Sequence, residues 1–102
     1  MAIVTEYNYQ YHGGPGGYAG RRAILRLKNG TTSLAYVYFM VEGHTIPSDN
    51  QSGTRINMYM PESALEGVID MLRNESPIEI YYASGSAFLR TGSEPIGEEE
   101  GS

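Results

Sequence analysis

The sequence predicts an α+β fold: a curved antiparallel β-sheet of about six strands, in the order ββββαββ, with one α-helix packed on one face. Three observations carry this expectation. Short stretches alternate apolar or aromatic residues with polar ones at a period of two. Turn-forming Gly, Asn and Pro residues separate those stretches by only a few positions. One stretch, 61–74, instead repeats its apolar residues at helical spacing.

The elements follow in order. Over residues 2–12, Ile3, Thr5, Tyr7, Tyr9 and Tyr11 share one face and Val4, Glu6, Asn8, Gln10 and His12 the other, as in a strand. "GGPGGYAG" (13–20) breaks the pattern. It resumes over 21–28, with Ala23, Leu25 and Leu27 on one face and Arg22, Ile24, Arg26 and Lys28 on the other. Asn29-Gly30 then supplies the pair favoured in a two-residue hairpin turn, where both positions take positive φ. Residues 32–42 are apolar or aromatic on both faces, which predicts a central strand. A polar loop (43–53) leads to a fourth strand (54–60), with Ile56, Met58 and Met60 opposite Arg55, Asn57 and Tyr59.

Pro61 and Glu62 suit the first turn of a helix. Leu65, Val68, Ile69 and Leu72 form its apolar stripe, with Met58, Met60 and Met71 as filler behind it. Gly67 weakens the helix and would mark a close approach to the sheet. Pro77 stops it near Arg73 or Asn74. Strands at 78–82 and 87–91, joined by a turn, complete a single domain over 1–91. Residues 92–102 carry four acids and no periodicity, and read as a disordered acidic tail.

Composition narrows the chemistry. The chain has 102 residues and no cysteine, which removes disulfides, thiolate metal sites and cysteine nucleophiles. No H-x-H, H-x-x-x-H or D-x-D spacing suggests a metal site, and no cofactor is expected. The longest apolar stretch, 34–41, is too short to span a membrane, and the N-terminus lacks the pattern of a signal peptide. The expected location is cytoplasmic. Net charge is −5, unevenly spread: residues 1–60 hold five basic residues against three acids, whereas residues 61–102 hold nine acids against two arginines.

The glycine loop matches the dinucleotide fingerprint in form, as Gly14-Pro15-Gly16-Gly17-Tyr18-Ala19. That fingerprint must leave a strand and enter a helix. Here a strand-like stretch follows, so the loop reads as a hairpin tip. A partner-binding loop anchored by Tyr18 is the other use for it. His12 and His44 lie beside glycines in predicted loops, and no spacing selects a carboxylate partner such as Glu6 or Glu42. No catalytic residue is assigned, and the protein is expected not to be an enzyme.

Tyrosine is the unusual feature: nine Tyr stand against two Phe and no Trp. Each ring buries apolar area yet keeps a hydroxyl that wants a partner. A helix of about 13 residues is only about 20 Å long, whereas about six strands make a sheet roughly 25 Å wide. Tyr-rich surface should therefore be left for a second copy of the chain, a ligand or water. The expectation is a small binding domain acting as a homodimer, its partner an unknown protein or small ligand, with Tyr7, Tyr9, Tyr11, Tyr18, Tyr36 and Tyr38 as contact residues. Cations beside rings suit single-stranded nucleic acid, which gives the alternative reading through Arg22, Arg26, Lys28 and those tyrosines. Four strands running into "RINMYMPESALEGVIDML" also resemble the sheet-then-helix unit of the PUR and Whirly single-strand-binding folds. That likeness lies in element order over residues 3–73, and it implies a nucleic-acid-binding sheet.

Overall fold

The computed structural model describes residues 2–92. They form β1 (Ala2–Val4), β2 (Glu6–Tyr11), β3 (Arg21–Asn29), β4 (Thr32–Met40), β5 (Asn50–Ser52), β6 (Arg55–Pro61), a 3-10 turn (Glu62–Ala64), α1 (Leu65–Asn74), β7 (Ile78–Ala83) and β8 (Ser86–Thr91). The α+β character is as expected. The single curved six-stranded sheet is not: the strands form two sheets, β2-β3-β4-β6-β5 and β1-β7-β8.

The first correction lies at Thr5, where the predicted strand over 2–12 splits. The Thr5 N–H donates to the Lys28 carbonyl at 2.8 Å, and its hydroxyl accepts from the Gly30 N–H at 2.9 Å. Pinned at both groups, the chain leaves one sheet and enters the other. β1 pairs with β7, and β2 pairs with β3.

The second correction concerns direction. β4 and β6 are parallel, not antiparallel. The segment predicted as pure loop contains β5, which pairs antiparallel with β6 from its far side. The chain thus skips the position next to β4, runs back along β5, and fills the vacant slot with β6.

Turn chemistry is displaced as well. The β3–β4 hairpin exists, but Asn29 stays in the ladder opposite Thr32, and only Gly30 takes positive φ, at 60°. That is the demand of a turn needing Gly at its first central position. Positive φ at both central positions occurs at Ser84-Gly85 (53° and 82°) and at Ala19-Gly20 (53° and 77°).

Pro61 closes β6, and the 3-10 turn precedes α1, which ends at Asn74 as Pro77 requires. The apolar stripe is as predicted: Leu65 and Val68 are buried, and Ile69 and Leu72 pack against the core. Gly67 is not a close approach, since a Cβ there would meet nothing within 4 Å.

The core joins all three layers. Ala23, Leu25 and Leu27 of β3 and Ala35, Val37 and Phe39 of β4 are fully buried, with Leu65 and Val68 from α1 and Ile80 and Ala87 from the smaller sheet above them. Helix and second sheet thus roof the inner face together, which relieves much of the shortage that a single broad sheet would create. Asp49 ties the sheets: its carboxylate accepts the Tyr59 N–H of β6 at 2.8 Å and the Ala87 N–H of β8 at 2.9 Å. Among the described residues, no helix is long and apolar enough to cross a membrane. The predicted acidic tail, apart from Gly92, lies outside the described residues.

Candidate functional site

The pleat of the five-stranded sheet sends alternate residues to opposite faces. One face is the core. The other carries Glu6, Asn8 and Gln10 from β2, Ile24, Arg26 and Lys28 from β3, Tyr36 and Tyr38 from β4, and Arg55, Asn57 and Tyr59 from β6, with Glu6 opposite Lys28. Arg21 joins them through a bulge in β3, where two residues, Arg21 and Arg22, occupy the space opposite Met40.

On this outer face, rings and guanidinium groups interleave. The Arg21 guanidinium lies over the Tyr38 ring at 4.2 Å from its centroid. Tyr38 stacks on Tyr59 at 4.9 Å and meets Tyr36 edge-on at 6.2 Å. Tyr36 in turn faces Arg55 at 4.2 Å and Arg26 at 5.6 Å. Cation–π contacts of this kind hold a guanidinium flat over a ring while its charge and outer plane stay available. Arg21, Arg26, Lys28 and Arg55 form no ion pair among the described residues. Beneath this face, Arg55 Nε and Asn57 Oδ1 are buried and have no hydrogen-bond partner among the described residues. Asn57 spends its amide N–H on Asn50 Oδ1 at 2.8 Å.

The residues expected to bind are divided by the structure. Arg26, Lys28, Tyr36 and Tyr38 do come together on the outer face. Tyr38 is only 7% exposed, because its neighbours tile it. Tyr7, Tyr9 and Tyr11 face the other way, toward α1. Tyr9 and Tyr11 border a cleft of about 510 Å³ whose far wall is Glu62, Leu65, Glu66, Ile69, Asp70 and Arg73. Tyr18 stands at the tip of the glycine loop, 68% exposed.

Arg22 leaves the face predicted for it. The same bulge that turns Arg21 outward aims Arg22 at Glu62, with Nε 3.2 Å from the carboxylate. Its other nitrogens donate to the carbonyls of His12 (2.7 Å), Gly14 (2.8 Å) and Pro15 (3.3 Å). The glycine loop therefore offers carbonyl oxygens inward to a cation and returns to a strand. A phosphate cradle needs the reverse polarity, N–H groups at the start of a helix.

Arg21, Arg55, Tyr59 and Asn57 belong to the face but were not among the expected residues. Arg55, Asn57 and Tyr59 were visible as the polar side of their strand; that this side adjoins Tyr36 and Tyr38 depends on the parallel β4–β6 pairing. Arg21 had no signal, since a bulge is not written in alternation. His12 Nδ1 lies 2.9 Å from the Arg21 carbonyl, and His44 Nδ1 the same distance from the Thr45 carbonyl. His12 lines a shallow cleft of about 420 Å³ with Gln10, Gly13, Gly17, Tyr18 and Ile24, none of them acidic. Among the described residues, no cluster of three or more His, Asp or Glu could hold a metal ion. No protein-family model, curated protein or solved structure matches the chain.

Proposed function

We propose that the protein is a small, non-enzymatic binding module whose ligand is single-stranded nucleic acid, held on the outer face of its five-stranded sheet. One observation carries the reading: Arg21, Arg26, Lys28 and Arg55, four of the seven basic residues, share one face with Tyr36, Tyr38 and Tyr59, and none is ion-paired among the described residues. Single strands need cations along the phosphates and flat groups against the bases. Here the flat groups are the partly exposed rings of Tyr36 and Tyr59 and the outer planes of Arg21 and Arg55, because bases stack on guanidinium planes as well as on rings. Asn8 and Gln10, exposed on β2, add amide donors and acceptors beside them. The net charge of −5 opposes phosphate binding in sum, and Glu6 shares the outer face opposite Lys28, but the acids lining the α1 cleft lie on the opposite side of the sheet.

Fluorescence anisotropy with a labelled oligothymidine tests this. At about 50 mM salt the expected affinity is of micromolar order, as for contacts dominated by phosphates. Log affinity should fall with log salt at a slope of about −2 to −3, since each neutralised phosphate of a single strand contributes about 0.7. Arg26→Ala combined with Arg55→Ala should weaken binding at least tenfold and flatten the slope. Absence of binding at low salt would exclude the nucleic-acid reading; binding that survives the double substitution would move the site elsewhere.

A further inference from the structure

We propose that β2 is a two-fold dimerisation edge. Glu6–Tyr11 of one copy pairs antiparallel with the same strand of a second copy, Tyr9 opposite Tyr9, so that the two five-stranded sheets become one.

The first ground is the hydrogen-bonding phase of β2. The His12 N–H donates to the Arg22 carbonyl at 2.8 Å, and the register runs unbroken through Gln10–Ile24, Asn8–Arg26 and Glu6–Lys28. Even-numbered residues therefore spend their backbone groups on β3. Tyr7, Tyr9 and Tyr11 aim theirs outward, and among the described residues nothing receives them.

The second ground is that β2 is the longest edge with no group capping it among the described residues. Natural edges are blunted by shortness, bulges, Pro, Lys or a capping group. β5 and β1 have three residues each, and the Asn29 amide donates to the Ile3 carbonyl in the middle of β1. β8 is longer, but Asp49 caps its Ala87 N–H. β2 has six residues, no Pro, no Lys and no bulge.

The third ground is side-chain fit. Tyr9 is 44% and Tyr11 61% exposed, beside the open cleft along α1. That cleft has an apolar floor at Leu65 and Ile69 and carboxylate acceptors at Glu62, Glu66 and Asp70. A tyrosine from a second copy matches both, with its ring on the floor and its hydroxyl donating to a carboxylate.

The axis follows from the sequence of the edge. With Tyr9 on the two-fold, Tyr7 faces Tyr11, Asn8 faces Gln10, and Glu6 faces His12 of the second copy. All six outward N–H and C=O groups of each strand are paired. Moving the axis to Asn8 or Gln10 shortens the overlap or takes Glu6 away from His12. Glu6 is the one charged residue of β2, so the strands meet without like-charge contact. This proposal does not rest on the nucleic-acid reading, because molecular mass is measured without any ligand.

The chain has no cysteine, which makes cross-linking clean. Directly opposed, hydrogen-bonded antiparallel residues have Cα atoms about 5.5 Å apart, within disulfide reach. The full chain should sediment at twice 11.2 kDa. Tyr9→Cys should form an intermolecular disulfide on mild oxidation, whereas Phe88→Cys, exposed on the other sheet, should not. Tyr9→Lys should run as a monomer with an unchanged far-ultraviolet circular dichroism spectrum. If Tyr9→Lys fails to fold, the Tyr9→Cys cross-link decides. A wild-type monomer at about 100 µM, or a dimer in which Tyr9→Cys stays uncrosslinked, overturns the proposal.

Discussion

Two adjacent arginines show how much a single residue's direction matters. Arg21 and Arg22 carry the same charge, one position apart. The β3 bulge sends Arg21 over Tyr38 and Arg22 into the glycine loop and toward Glu62. One lies over a ring on the outer face; the other is consumed in holding backbone carbonyls. Lys could not replace Arg22, because bonds to three carbonyls and a carboxylate use the planar fork of a guanidinium. Two glycines make a similar contrast. Gly17 has φ of +62°, and a Cβ there would run into the Arg21 carbonyl, whereas Gly67 sits exposed in α1 with open space around it. Gly17→Ala should therefore destabilise the fold by about 1–3 kcal/mol, the range for forcing a side chain into the left-handed region. Gly67→Ala should stabilise it by about 0.5–1 kcal/mol through helix propensity and a less disordered unfolded state. Chemical denaturation of the two variants beside wild type reads both signs, and equal signs would contradict this account.

At the scale of elements, the two sheets are joined by few groups, and Asp49 is the most exposed to test. It sits just before β5, yet its two oxygens reach β6 and β8. Bonds from backbone N–H groups to a carboxylate are worth more than neutral ones, and removing the acceptor leaves both donors wanting. Asp49→Ala should cost about 1.5–3 kcal/mol in urea unfolding, and Asp49→Asn less, since one oxygen remains to accept. Because Asp49 also caps the Ala87 N–H, the alanine variant uncovers the β8 edge; native-state hydrogen exchange should show Ala87 losing protection before Leu25. No loss at Ala87 would mean that the sheets are held together by core packing alone.

Across the described residues, charge is unevenly divided between the two faces of the large sheet. The outer side of the large sheet holds Arg21, Arg26, Lys28 and Arg55 with the single acid Glu6, and the α1 side presents Glu62, Glu66 and Asp70 with Arg73. Pairing two copies through β2 would set both cationic faces side by side on one continuous sheet, doubling the length available to a strand. The C-terminal acids Glu98, Glu99 and Glu100 add negative charge that competes with phosphate in the field felt by an approaching oligonucleotide. Changing all three to Gln lifts the net charge from −5 to −2. Oligothymidine binding should then tighten severalfold at low salt, and the difference should vanish as the Debye length shortens toward about 3 Å at 1 M. An effect that persisted at high salt would point to direct contact instead.

Much of this protein was legible in local pattern. Period-two alternation located the strands of the inner core, Leu65, Val68, Ile69 and Leu72 located the helix face, and Pro77 located its end, because each reflects a constraint satisfied within a few residues. Arg26, Lys28, Tyr36 and Tyr38, grouped in the sequence as cations and rings, share one face of the large sheet. Alternation is silent about which sheet a strand joins, its direction, or a bulge. Those depend on contacts distant along the chain: Thr5 held by Lys28 and Gly30, β5 outflanking β6, Arg22 drawn to Glu62 across forty positions. Such contacts placed Tyr7, Tyr9 and Tyr11 on the helix side, away from Tyr36, Tyr38 and Tyr59, and brought Arg21, Arg55 and Tyr59 to the outer face. Local chemistry chose the elements, and long-range pairing chose which of their side chains meet.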